Sequence, residues 1–336
     1  MSAGRILLAG DIGATNIRLA LFREESGTLL PGWSARYRVT DFQDVRAALE
    51  RFVLDAMEAG AYGQVDAAAF GVAGAVRDSR VVSSHLPWPL DAGLLAAPLR
   101  LPTVVVLNDL MANALGLAAL APTDFASLNE GVEDPEGNAV LVSPGTGLGV
   151  SILVREGRGF RPIPSEGGSA AFAPRGRIEA ELLELLSAEF GHVACERILS
   201  GPGLVNLYRF ERGRSEEPEP LWLRDRIAVL GDAAAAITEA ALAERDAVCQ
   251  RALERFVSIL GGEAGNVALV GLATGGVYLG GGIPPRILPK LREGSFFAAF
   301  CDKGRFGPIL SRMPVRVVLN DRCALLGAAR AAAAAR

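Results

Sequence analysis

The sequence predicts an α/β fold of two domains with the active site in the cleft between them. Three glycine-rich segments carry that expectation: Gly10-Asp11-Ile12-Gly13-Ala14-Thr15-Asn16, Ser143-Pro144-Gly145-Thr146-Gly147-Leu148-Gly149 and Gly275-Gly276-Val277-Tyr278-Leu279-Gly280-Gly281-Gly282. The first two place a tight turn with Gly, Thr and either Asp or Ser next to an apolar strand. Such a turn lets backbone N–H groups approach a phosphate closely, because glycine has no Cβ to block it. Two turns of this kind, and a third glycine-rich crossing that can pass beneath a flat base, suggest a nucleotide gripped between two lobes.

The elements follow in order. Residues 5–12 read as a strand and 16–23 as the next, with a turn at Gly13-Ala14-Thr15. The spacing of Val45, Ala48, Leu49, Phe52, Val53 and Met57 predicts a helix over 44–60. An apolar strand at 67–73, another at 103–107 and a helix at 110–121 complete an α/β domain. From Asn138 the pattern restarts: strands at 139–143 and 149–154 flank the second glycine turn, as in a duplicated scaffold. Helices are expected over 175–190, 194–198, 204–209, 225–242 and 246–260, and a surface loop over 211–220. A strand at 315–319 precedes a closing helix at 324–336. The boundaries read this way give a smaller domain of residues 1–120 plus 320–336 and a larger one of 121–319.

Composition narrows the function. The chain has 336 residues, half of them hydrophobic, and a mean hydropathy of +0.28, which suits about two well-packed domains and argues against disorder. With 34 basic and 38 acidic residues the net charge is -4, so a dedicated nucleic-acid surface is disfavoured. Cys195, Cys249, Cys301 and Cys323 form no Cys-x-x-Cys pair, and read as incidental thiols of a reducing compartment. The N-terminal run is too short for a secretion signal. The most apolar longer stretch, 103–121, contains Asn108, Asp109 and Asn113 and is unsuited to a bilayer. A cytoplasmic chain is expected, with no membrane or nucleic-acid partner. No Gly-x-x-x-x-Gly-Lys-Ser/Thr loop occurs, and Val150 stands where the last glycine of Gly-x-Gly-x-x-Gly would fall. Both observations disfavour a P-loop NTPase and a dinucleotide-binding dehydrogenase.

Histidine is almost absent, at His85 and His192 only, and His192 reads as a structural residue near the start of a helix. The search for a general base therefore moves to carboxylates. Asp109 ends a very apolar strand, where ligand sites of α/β folds gather. The competing role is an N-cap for the helix that follows, but the adjacent Asn108 exceeds what one cap requires. Asp11 either accepts N–H bonds from its own turn or holds hydrated Mg²⁺ beside phosphates. Thr15 and Thr146 are turn hydroxyls or phosphate donors. Glu166, flanked by Ser165 and Gly167, and Glu196 are solvated charges or ligand-binding acids.

Taken together, these segments resemble the bacterial glucokinase family, of the actin-like ATPase (ribonuclease H-like) fold. Gly10–Asn16 resembles its first phosphate motif, with Ala14 where Gly is usual. Leu107-Asn108-Asp109 resembles its sugar and catalytic-base segment, and Pro144–Gly149 its second phosphate motif. Ser165-Glu166-Gly167-Gly168, the run from Glu196 to Gly203, Gly275–Pro285 with its adenosine signature, and Asp302–Phe306 also match. The resemblance implies ATP and Mg²⁺ as cofactors and transfer of the γ-phosphate to the C6 hydroxyl of glucose. Asn108, Asp109, Glu166 and Glu196 are then expected at the sugar, with Asp109 the base. Asp11, Gly13, Ala14, Thr15, Asn16, Gly145, Thr146, Gly147, Gly280, Gly281 and Gly282 are expected at the nucleotide, with Asp11 reaching the metal through water. Two departures stand out: Ser169 replaces a sugar-contacting His, and Ser84-His85 precede Pro87-Trp88 where Thr-Asn is common. Alternatives are a kinase for another hexose or an N-acetylhexosamine, and a non-catalytic sugar sensor. The first strand beginning by Arg5 argues against the DNA-binding domain such a sensor carries. A homodimer is an allowed assembly.

Overall fold

The computed structural model describes residues 4–83, 86–157 and 159–335; Ser84 and His85, part of the second departure, lie outside the described residues. The chain forms two compact units. One comprises residues 1–123, 156–164 and 320–336, the other residues 124–155 and 165–319.

The first unit opens with β1 (Arg5–Ile12), β2 (Asn16–Glu25) and β3 (Thr28–Arg38), followed by α1 (Val45–Glu58) and β4 (Ala67–Val72). A small hairpin, β5 (Ala75–Arg77) and β6 (Arg80–Ser83), leads to α2 (Ala92–Ala96), β7 (Val105–Asn108) and α3 (Asp109–Leu117). The five-stranded sheet runs β3-β2-β1-β4-β7. Strands β1, β4 and β7 are parallel neighbours, and β2 is antiparallel to β1. Leu7, Leu8 and Ala9 are all fully buried, as a strand covered on both faces requires. Leu8 and Phe70 meet Leu49 and Phe52 of α1 on one face.

Strand β3 was not anticipated. It is an edge strand whose Trp33, Ala35 and Tyr37 touch the core while their neighbours face out. That alternation is the only signal, and Pro31 and Gly32 interrupt it.

The second unit contains β8 (Phe125–Ser127), β9 (Ala139–Pro144) and β10 (Leu148–Glu156); β11 (Gly159–Ile163) belongs to the first. Then come α4 (Gly176–Phe190), α5 (Gly201–Gly213), α6 (Leu221–Leu230), α7 (Ala233–Leu242) and α8 (Ala247–Gly271). They are followed by β12 (Gly276–Leu279), α9 (Leu288–Leu291), α10 (Ser295–Cys301), α11 (Gly307–Leu310) and β13 (Val315–Val318). Its strands run β10-β9-β12-β13-β8.

Four expected helices differ. The one at 225–242 is two, because Gly231 adopts φ +63° and the Asp232 side chain caps α7 by accepting from Ala235 N. The one at 246–260 continues through 25 residues to Gly271. Glycines 261 and 265 do not stop it; they let α10 approach, since a Cβ there would lie 2.1 Å from the Phe296 carbonyl oxygen and 2.5 Å from that of Phe300. The segment at 194–198 is only a 3-10 turn, Cys195–Arg197. Helix α5 starts at Gly201 and runs on to Gly213, into the expected loop.

The chain closes with α12 (Cys323–Ala334), which belongs to the first unit. Its Leu325, Ala328, Ala329 and Ala332 bury against Leu7, Ala9, Phe22 and Ala69 on the other sheet face. It crosses α3 backbone to backbone: a Cβ at Gly116 would sit 2.0 Å from Cys323 O, and one at Gly327 1.7 Å from Ala112 O.

Candidate active site

In the first unit, the carboxyl ends of β1, β4 and β7 hold the polar residues. The β1–β2 turn is closed by Gly13 N donating to Asn16 O at 2.9 Å and tied to the next segment by Val39 N donating to Thr15 O at 3.0 Å. Thr15 is exposed and Ala14 half-buried. Asn16 accepts from Arg36 Nε at 3.2 Å. A Cβ at Gly13 would meet nothing nearer than Asn16 O at 3.6 Å, so this turn is open to a ligand rather than filled by protein. Asp11 lies on β1 opposite Gly71 of β4. Its carboxylate is 3.9 Å from Arg18, which is 3.6 Å from the Asp321 carboxylate. Burial pushes the Asp11 carboxyl up, Arg18 pulls it down and Asp321 raises it; the net shift is upward.

Asn108 and Asp109 divide the strand–helix junction between them. The N-cap of α3 is Asn108, whose Oδ1 accepts from Leu110 N at 2.9 Å and whose Nδ2 donates to Gly74 O at 2.9 Å. Asp109 is the first residue inside the helix, and its Oδ1 also accepts from Leu110 N, at 2.8 Å. The cap role weighed for Asp109 thus belongs to Asn108. Gly71 allows this junction to approach β4, because a Cβ there would lie 2.7 Å from Ala112 Cβ and 3.6 Å from Asp109 Cα.

In the second unit, the turn between β9 and β10 is closed by Gly145 N donating to Gly147 O at 2.8 Å. Thr146 at its tip is exposed. A Cβ at Gly145 would meet nothing within 4 Å. The third glycine segment lies against this turn: Gly280 N donates to Val142 O at 2.9 Å. Gly281, at φ +79°, approaches so closely that a Cβ would lie 2.4 Å from Pro144 O, whereas Gly282 is open. The second and third glycine segments are therefore neighbours in the fold.

The two candidate sugar acids of this unit also converge. Glu196 accepts from Leu148 N at 3.0 Å through Oε2. The Glu166 turn packs on the same residue, since a Cβ at Gly168 would lie 1.9 Å from Leu148 O. Ser169 N donates to Glu166 O at 3.0 Å, and Cys195 N to Ala170 O at 2.9 Å, which ties the two acid-bearing segments together. His192, expected near a helix start, lies instead in the loop after α4, and its Nε2 is 3.0 Å from Ser169 O. Sequence reasoning did not foresee that partnership, because 23 residues separate the pair.

The four cysteines are free thiols, and burial pushes Cys195 up to about 12. Among the described residues no group of three or more His, Cys, Asp or Glu could hold a metal ion, and no helix is long and apolar enough to cross a membrane.

The chain is similar to known proteins over nearly its whole length. A family model described as Glucokinase matches residues 8–335. A glucokinase of Nostoc sp. is 36% identical over 98% of this chain and 99% of its own. Among solved structures, a glucokinase from an Antarctic psychrotroph superposes with a TM-score of 0.79 at 28% identity, covering 98% of this chain and 99% of that one. A Balamuthia mandrillaris glucokinase solved with glucose has a TM-score of 0.77 at 23% identity, over 98% and 94%. The fold is that of the two-domain, actin-like sugar kinases. Within that class, the chain belongs to the glucokinase family.

Proposed function

We infer that this protein is an ATP-dependent glucokinase, forming glucose 6-phosphate and ADP. One observation carries the residue assignment: Asn108 is the N-cap of α3, which sets Asp109 in the first turn of the helix just beyond the carboxyl end of β7, where ligand sites of α/β folds gather. In phosphoryl transfer the protein positions the groups and stabilises charge, and one residue orients and deprotonates the nucleophile. Asp109 accepts the proton of the C6 hydroxyl while the O6–Pγ bond forms. The bond from Pγ to the bridging oxygen breaks, and its electron pair leaves with ADP. Asn108, Glu166 and Glu196 hold the other sugar hydroxyls.

The turns at Gly13–Asn16 and Gly145–Gly147 offer N–H groups to the phosphates, and Gly280–Gly282 take the adenosine. Mg²⁺ fits this donor set. The Asp11 carboxylate is too far from Arg18 for a hydrogen bond, so it retains acceptor capacity for a hydrated ion that draws its remaining ligands from phosphate and water. When bound, the ion neutralises charge on the β- and γ-phosphates. The first unit serves as the smaller domain and the second as the larger. The free thiols suit a reducing, cytoplasmic setting.

A coupled assay of the purified chain tests the reading, with glucose, other hexoses and N-acetylhexosamines against ATP, GTP and polyphosphate. Glucose with ATP is expected to give the highest kcat/KM. A chain that forms no glucose 6-phosphate refutes it, and a higher kcat/KM for an N-acetylhexosamine reassigns the substrate.

A further inference from the structure

Leu148 is the point at which three segments of the second unit meet. Its N–H is taken by Glu196 Oε2 at 3.0 Å. Its carbonyl packs against Gly168 of the Glu166 turn. Through β10 it forms one end of the phosphate turn Gly145-Thr146-Gly147, pairing with Pro144 across it. The other end of that turn is held from the same direction, because Gly201 N donates to Gly145 O at 2.8 Å. Glu196 and Gly201 are part of one short, internally braced segment. Ser200 Oγ donates to Glu196 O at 2.7 Å and accepts from Gly203 N at 3.0 Å. A single stretch of nine residues, 195–203, thus grips both ends of the turn.

The carboxylate also explains a glycine. A Cβ at Gly147 would lie 2.3 Å from Glu196 Oε2 and 3.1 Å from its Cδ, so the place of a side chain at 147 is filled by the Glu196 head group. Gly147 does not have the left-handed backbone that would by itself demand glycine. It is glycine because an acid from 49 residues further on covers it.

We propose that Glu196 is a positioning residue for the nucleotide: it latches the Gly145–Gly147 turn in the shape that presents its N–H groups to phosphate. This rests on the glucokinase reading, in which Glu196 is a sugar ligand only. Its Oε2 serves the turn, while Oε1 makes no hydrogen bond to any described residue and remains for a sugar hydroxyl. One carboxylate then faces both substrates. Without the latch, the turn has to be ordered by the incoming phosphate, and nucleotide binds more weakly even when no sugar is present.

The test is calorimetric titration of the full chain with ADP in the absence of glucose, comparing wild type, Glu196→Gln and Glu196→Ala. The amide of Glu196→Gln keeps an oxygen for Leu148 N–H and removes a negative charge from beside the phosphates, so its ADP affinity should equal or exceed that of wild type. Glu196→Ala should bind ADP about three- to tenfold more weakly than Glu196→Gln, the equivalent of one hydrogen bond. Equal ADP affinity of the two variants overturns the proposal and leaves Glu196 a sugar ligand alone. Should Glu196→Ala not fold, Gly147→Ala takes its place. Its methyl displaces Oε2 from Leu148 N–H, and an ADP affinity several-fold below that of wild type in the same titration supports the latch, whereas an unchanged ADP affinity refutes it. The ADP titration is independent of turnover. Absence of glucose phosphorylation by wild type would therefore sink the glucokinase reading without deciding the role of the latch.

Discussion

Asp109 and Asn108 show how two adjacent polar residues can have separate duties. Sequence position left open whether Asp109 caps a helix or serves chemistry. The hydrogen bonds give the cap to Asn108, whose oxygen and amide are both engaged with backbone. Asp109→Asn should therefore yield a folded protein that still binds glucose, with kcat lower by about 10²–10⁴, the usual cost of losing a general base. Thermal melting and steady-state kinetics check this; a protein that unfolds but keeps its kcat per folded molecule would return the cap to Asp109. Ser169 stands where the resembling family carries His, and its carbonyl is met by His192. Ser169→His should change glucose KM and the ranking of hexoses more than kcat, because the side chain acts on hydroxyls remote from the transferred group. Unchanged KM and ranking would place Ser169 away from the sugar.

At the scale of elements, helix α3 carries Asp109 and is held by α12 through two glycines. In an exposed helix, Gly→Ala is worth up to about 1 kcal/mol of stabilisation. At Gly327 the new methyl would stand 1.7 Å from Ala112 O, a backbone atom one turn below Asp109. The clash wins, and Gly327→Ala should destabilise by about 1–3 kcal/mol, with a loss of kcat as α3 shifts. An unaltered melting temperature would count against the close crossing.

Helix α8 offers a pH-dependent case. Asp246 caps it by accepting from Cys249 N at 2.7 Å and pairs with Arg212 at 3.0 Å. Burial pushes the Asp246 carboxyl up, but the Cys249 N–H and the Arg212 guanidinium outweigh it, and the net shift is below its usual 3.8. A depressed carboxyl stabilises the fold above the unfolded value and loses that contribution as pH falls through the folded one. Asp246→Ala should thus lower stability by about 0.5–2 kcal/mol at pH 7, with the gap to wild type narrowing below pH 3.8. A gap that stays constant with pH would leave only the neutral part of the cap.

At the scale of the whole chain, the first unit depends on residues from both ends of the sequence. Its sheet is covered on one face by α1 and on the other by α12, which supplies four residues to a buried cluster with Leu7, Ala9, Phe22 and Ala69. Deleting residues 320–336 strips that face while leaving every residue of the second unit in place. Limited proteolysis of the truncated chain should cut within 1–123 and spare 124–319. Equal resistance of the two regions would show that α12 is dispensable to the sheet.

Much of this protein is local and was readable in the sequence. Apolar runs such as Leu7–Ala9 and Val140–Val142 declare buried strands because both faces must be covered. The tight turns at Gly13–Asn16 and Gly145–Gly147 declare themselves because glycine lets the chain bend where a side chain would hinder it. The helix over 44–60 has a period that only one face of a helix satisfies. What the tertiary structure alone decided are relations across distance. Glycines 261 and 265 look like helix breakers until α10 is seen to press on them. Gly147 looks like one more turn glycine until Glu196 is found in the place of its side chain. The His192–Ser169 contact and the α3–α12 crossing are likewise invisible in the linear order. A sequence records which residue stands at a position, whereas the neighbour that makes it necessary is brought there by the fold.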